Sequence, residues 1–108
     1  MSYNIFRTGE FTKHLKQLSK KYPSIKKDYD ELLESLSKKP LQGISLGQNC
    51  YKVRWKITSK QTGKSGGARV ITYVKIEKKQ ITMLDVYDKA DKESITEKEL
   101  AALVKKAG

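Results

Sequence analysis

The 108 residues carry 23 Lys and Arg against 12 Asp and Glu, a formal charge of +11, with a pI near 9.7. A field of that sign attracts polyanions, and charge alone leaves RNA, DNA, acidic lipid headgroups and an acidic protein open as partners. No apolar run approaches the ~18 residues of a membrane span, the single cysteine, Cys50, excludes an internal disulfide, and one histidine beside it is a poor basis for zinc.

This length supplies one hydrophobic core, so one domain over residues 1–108 is expected. Met1 to Asn4 opens no charged-then-apolar leader. These features together predict a cytoplasmic protein that works without a membrane, a metal or a cofactor.

Tyr3 to Arg7 reads as a short first strand. Thr8 or Gly9 then opens a helix with apolar positions Phe11, Leu15, Leu18 and Tyr22, spaced four, three and four. Pro23 breaks it and suits the first turn of a second helix, which carries Ile25, Tyr29, Leu32, Leu33 and Leu36 and stops at Lys38-Lys39-Pro40. The pair predicts an antiparallel helical hairpin whose apolar stripe needs a sheet to cover it. Leu41 to Asn49, with Gly43 and Gly47, reads as a loop or irregular edge.

Three strands follow. In Cys50 to Ile57 the alternation sends Lys52, Arg54 and Lys56 one way and Tyr51, Val53, Trp55 and Ile57 the other. In Gly67 to Ile76, Arg69, Tyr73 and Lys75 oppose Val70, Val74 and Ile76. In Ile81 to Lys89, Asp85, Tyr87 and Lys89 oppose Leu84 and Val86. Finally Thr96 and Glu99 are spaced as a capping box with Ile95 and Leu100 as its staple, which starts a last helix. The architecture expected is α+β, with the hairpin and the C-terminal helix on one face of a mostly antiparallel four-stranded sheet and a basic face left open.

That basic face suits RNA. Lys56, Tyr73 and Lys75 lie on it as binding candidates, and Lys60 and Lys64 sit in the loop between the first two meander strands, placed to close over a phosphate backbone. Gly63-Lys64-Ser65 is not a P-loop end, because Thr58 stands where the first glycine belongs and a strand, not a helix, follows. His14 and Cys50 are too far apart in sequence to suggest a triad. Asp85, Asp88 and Asp91 read as charge balance or as a metal site. Chemistry by Lys, Arg and Tyr remains. RNA is cut when its 2′-hydroxyl attacks the adjacent phosphate, which needs a base, positive charge on the transition state and an acid at the leaving oxygen. Arginine suits the middle task. On these residues alone, plain nucleic-acid binding stays open beside catalysis.

The order strand, helical hairpin, three-strand meander and terminal helix resembles the RelE/ParE toxin superfamily. The resemblance is carried by Cys50-Tyr51-Lys52-Val53-Arg54, Gly67-Ala68-Arg69-Val70-Ile71 and Val86-Tyr87-Asp88-Lys89. The run at 63–70 is most similar to the HigB-like and RelE-like branch. The resemblance implies a toxin of a type II toxin–antitoxin pair that enters the ribosomal A site and cleaves mRNA by metal-independent 2′-hydroxyl attack. It implies a cognate antitoxin, the ribosome and mRNA as partners, and operator DNA only through the antitoxin. By position, the family's basic pair falls on Lys52 and Arg54, and its transition-state arginine on Arg69. The basic residue after the last strand falls on Lys89, which keeps the charge of RelE's arginine and loses the bidentate fork. Glu93, Ser94 and Ile95 stand where RelE has its late tyrosine, and Tyr87 is the substitute candidate, for stacking or proton relay. The alternatives are a ParE-like action on DNA gyrase and a non-catalytic RNA- or ribosome-binding domain.

Overall fold

A computed structural model of the chain describes residues 3–60 and 66–107. One sheet holds β1 (Asn4–Arg7), β2 (Ile44–Gly47), β3 (Cys50–Trp55), β4 (Ala68–Lys75) and β5 (Gln80–Asp88), in the order β1-β5-β4-β3-β2. β1 runs parallel to β5, and the other neighbours are antiparallel. Among the described residues the helices are α1 (Gly9–Lys21), α2 (Ile25–Lys38) and α3 (Glu97–Ala107). None of them is long and apolar enough to cross a membrane. The α+β class, the hairpin and the meander are those the sequence predicts.

The helix starts follow from local chemistry. Thr8 caps α1: its hydroxyl oxygen accepts the Phe11 N–H at 3.1 Å and its own O–H donates to the Leu84 carbonyl at 3.1 Å, tying the helix start to β5. At α3 the Thr96 N–H donates to Glu99 at 3.0 Å and the Glu99 N–H to Thr96 at 3.1 Å, the reciprocal capping box.

The stripes of α1 and α2 cover one face of the sheet. Phe11, Leu18, Leu32 and Leu36 pack there on Val53, Trp55, Val70, Ile81 and Val86, each large side chain contributing roughly 1.5–3 kcal/mol on burial. Phe11, Tyr29 and Trp55 form a ring cluster with centroids 6.1 and 6.4 Å apart, and the Trp55 indole N–H donates to the Asp28 carbonyl at 3.0 Å.

Two features depart from the sequence reading. Residues 44–47, read as a loop or irregular edge, form a fifth strand. Gly43, at φ +99°, lets the chain lie against β3, since a Cβ there would stand 2.4 Å from the Lys52 carbonyl oxygen. Left-handed Gln48 and Asn49 turn the chain sharply into β3. The terminal helix also lies on the other face, opposite the hairpin. There Leu100 packs on Cys50, Ile71, Leu84 and Tyr87. The cause is a bulge in β5. Ile71 pairs with Asp85 and Thr72 with Met83, so Leu84 is skipped and turns from the Val86 face to the opposite one. With Ile71 and Cys50 it makes a second apolar patch that α3 covers.

Two buried carboxylates fasten the segment after β3. Asp28 accepts the Thr58 N–H at 2.9 Å and the Thr58 and Ser24 hydroxyls at 2.6 Å each. Asp88 accepts the Tyr22 phenol at 2.6 Å, the Ala90 N–H at 2.9 Å, and the ammonium groups of Lys60 and, at 3.4 Å, Lys21. Burial alone would raise both carboxyls. The donors outweigh it and hold each below the ordinary carboxylate range.

Candidate functional site

Strand register decides which basic residues meet. Arg54 on β3 stands directly opposite Arg69 on β4, and Arg69 directly opposite Tyr87 on β5. The next row holds Lys52, Ile71 and Asp85. Three of the expected catalytic residues therefore share one cross-strand row, with Lys52 one pleat away on the same face. Lys89 follows β5 immediately; it is half-buried, and its N–H donates to the Gly67 carbonyl at 3.1 Å. Gly67 has to be small there, because a Cβ would stand 2.3 Å from the Trp55 carbonyl oxygen.

The members differ in access. Arg54 is exposed and Lys52 half-exposed, its ammonium 3.4 Å from the Ser94 hydroxyl. Arg69 is only 5% exposed, and its Nη1 donates to the Ala68 carbonyl at 3.1 Å. Its guanidinium reaches an anion only if the groups over it turn aside. Tyr87 is 8% exposed. Its hydroxyl is buried with no hydrogen-bond partner among the described residues. Burial raises the phenol above its ordinary value, while the Arg69 charge works the other way. Tyr87 is thus a neutral O–H donor, suited to giving a proton or a hydrogen bond and poorly suited to taking one. Its ring carries the Lys92 ammonium at 5.4 Å and packs in the α3 core. Those contacts occupy the ring, so the expected stacking on a base does not fit.

Several candidates fall elsewhere. Lys60 does not project toward a ligand. Its ammonium donates to the Gly66 carbonyl at 2.6 Å, to the Gly67 carbonyl at 3.3 Å and to Asp88. A lysine has three donors, and all are spent inside the protein. Lys64 lies outside the described residues. Lys56 is exposed just beyond β3. Tyr73 and Lys75 share the face of Arg69 but lie four and six residues further along β4, roughly 13 and 20 Å away. Leu100 of α3 packs over Ile71 and Leu84 between the two ends, so the basic face is divided.

The three late aspartates also separate. Asp85 accepts the Val86 N–H at 2.8 Å and stands 2.5 Å from the His14 imidazole, whose other nitrogen is 3.4 Å from Glu10. Asp88 points into the interior, and Asp91 is exposed. Among the described residues no three His, Cys, Asp or Glu side chains gather as metal ligands would. Cys50 is buried and its thiol pushed up to about 11 by that burial, so it is no ready nucleophile. Lys92 was not singled out by the sequence. It reaches Tyr87 because Glu99 holds it at 2.5 Å, a bond that lowers the Glu99 carboxyl to about 2.

The chain matches a family profile described as the RelE toxin of the RelE/RelB toxin–antitoxin system, over residues 3–108. No curated protein sequence matches it. Among solved structures it is similar to an arginine-to-alanine double mutant of the Escherichia coli toxin RelE in the free state, with TM-score 0.62, 18% identity, and 98% of each chain covered. It is also similar to a chain of the RelBE2 toxin–antitoxin complex of Mycobacterium tuberculosis, with TM-score 0.60, 18% identity, and 82% and 99% covered. A chain of the intact E. coli RelBE toxin–antitoxin complex gives TM-score 0.61, 17% identity, and 81% and 96% covered.

Proposed function

Since the chain belongs to the RelE toxin family, we propose that it is a single-domain cytoplasmic endoribonuclease that cleaves mRNA on the ribosome and is held in check by a cognate antitoxin. The observation that carries this reading is the row Arg54, Arg69 and Tyr87, with Lys52 one pleat away. The exposed Arg54 guanidinium can meet a phosphate directly, and the buried Arg69 and the neutral Tyr87 phenol join it once the groups over them turn aside.

In this mechanism the 2′-hydroxyl attacks the adjacent phosphorus, the bond to the 5′-oxygen breaks, and a 2′,3′-cyclic phosphate and a 5′-hydroxyl result. Arg69 and Arg54 bind the non-bridging oxygens as their negative charge grows, which is where fixed positive charge lowers a barrier most. Tyr87 gives its proton to the departing 5′-oxygen. Water beside Lys52 takes the proton of the attacking hydroxyl and solvent restores that of Tyr87, while Lys89 and Lys56 add positive charge around the site. No step calls for a metal or cofactor. The chain meets the antitoxin directly and operator DNA only through it, as the toxin–antitoxin complexes among its structural relatives suggest.

The test is to incubate the purified protein with translating ribosomes in chelator-treated buffer restored with magnesium for the ribosome alone, and to analyse the ends of the cut message. Cyclic phosphate and 5′-hydroxyl termini support the mechanism. A 5′-phosphate at the cut contradicts it.

A further inference from the structure

The far end of the basic face carries a second arrangement that the cleavage site does not use. Phe6 is 50% exposed on β1, an unusual place for a phenyl ring in so charged a chain. Its strand neighbour is Thr82 on β5, and the neighbour of Thr82 is Tyr73 on β4, so the three share one row and one face. The ring lines a cleft of about 490 Å³ beside the last turn of α3, together with Arg7, Lys75, Gln80, Thr82 and Lys106. Two lysines, Lys75 and Lys106, bring positive charge to it and its lining holds no carboxylate; Arg7 lies at its edge with its guanidinium turned to the other face, 3.4 Å from the Tyr29 hydroxyl and over the Tyr29 ring. Lys75 is steadied there by Tyr73, whose ring lies 5.5 Å beneath its ammonium. Lys106 stands 4.0 Å from Glu10, a loose surface pair that a phosphate can replace.

We propose that this cleft is a second nucleotide site, in which one unpaired base of a single-stranded RNA stacks on Phe6 while Lys75 and Lys106 hold the flanking phosphates. The site rests on the reading that the protein works on RNA, and it adds a contact roughly 20 Å from Arg69 along the sheet. The occupant follows from the shape of the chemistry. A protein helix or strand buried here would need a contiguous apolar stripe; the cleft offers one aromatic face flanked by two lysines. That combination suits a base with phosphates on either side, and it tolerates any base because each has a π-face. Gln80 and Thr82 can donate to the base edge.

The experiment uses short single-stranded RNAs with 2-aminopurine at one position, whose fluorescence falls on stacking. The full chain carrying Arg69→Ala serves as a cleavage-deficient reference. It is expected to quench the probe at one position, and the added variant Phe6→Leu to lose that quench and weaken binding about tenfold. Phe6→Trp should keep both. Lys75→Ala with Lys106→Ala should weaken binding and flatten its salt dependence. Unchanged quenching in Phe6→Leu, or no quenching at any position in the reference, overturns the proposal. So does a Phe6→Leu protein that binds RNA normally and loses only a protein partner. The cleavage reading is judged separately, by whether Arg69→Ala still cuts. Phe6 is half-exposed, and thermal melting shows whether its variants keep the fold.

Discussion

Arg54 and Arg69 stand directly opposite each other across β3 and β4, like charges in one cross-strand pair. Such a pair works against folding. An anion seated between them turns repulsion into binding. Replacing Arg54 by Leu should therefore raise the unfolding free energy by roughly 0.2–1 kcal/mol while weakening phosphate and RNA binding. Urea titration with and without inorganic phosphate separates the two effects. A less stable Arg54→Leu protein would show that the pair is not repulsive in the fold.

Tyr87→Phe distinguishes a chemical hydroxyl from a structural one. The Tyr87 hydroxyl is buried with no hydrogen-bond partner among the described residues, and removing such a group relieves a desolvation cost of about 1–3 kcal/mol. The variant should be at least as stable as the parent yet cleave roughly 10²–10⁴-fold more slowly. Because burial raises the phenol, the alkaline fall in rate should lie above the ordinary tyrosine range. Normal cleavage by Tyr87→Phe would remove Tyr87 from the mechanism.

Asp88 makes the fold acid-sensitive. Its folded carboxyl lies below the ordinary range, so its contribution is fully present above about pH 4, the value for an unfolded aspartate. That contribution is lost as pH falls through the depressed folded value. Asp28 adds a loss of the same sign. Melting temperature should fall steeply below pH 4, and less steeply in Asp88→Asn. Equal slopes would mean that the Asp88 bonds do not form.

Lys60 and Lys52 should separate cleanly. Lys60→Met leaves Asp88 buried without its main cation, at a cost of roughly 3–5 kcal/mol, yet folded molecules should cleave normally. Lys52→Met should leave stability nearly unchanged and lower cleavage. Denaturation curves beside cleavage per folded molecule give the comparison. A stable, inactive Lys60→Met protein would restore Lys60 as an RNA contact.

The basic face was legible because strand alternation is local. Lys52 and Arg54 separate from Val53 and Trp55 with no knowledge of neighbouring strands. The register that sets Arg54, Arg69 and Tyr87 in one row is not local, and only the resemblance to the toxin family brought them together in advance. The Leu84 bulge was illegible for a related reason. One skipped residue reverses the side-chain parity of a strand, and this one sent α3 to the face opposite the hairpin. Nothing near Lys60 in sequence shows that Asp88, 28 positions away, takes its charge inward. A lysine beside a glycine-rich loop looks the same whether it points at RNA or at a buried carboxylate.

The central claim is that Arg69 drives cleavage of mRNA on the ribosome. The most direct measurement maps mRNA 5′ ends after induction of the chain, with and without active translation, for the parent and for Arg69→Ala. New ends in phase with the reading frame, present only during translation and absent with Arg69→Ala, are the predicted result. Intact mRNA with cleaved chromosomal DNA would contradict the account and point to gyrase poisoning. In-frame cuts that persist in a folded Arg69→Ala protein would contradict the role given to Arg69.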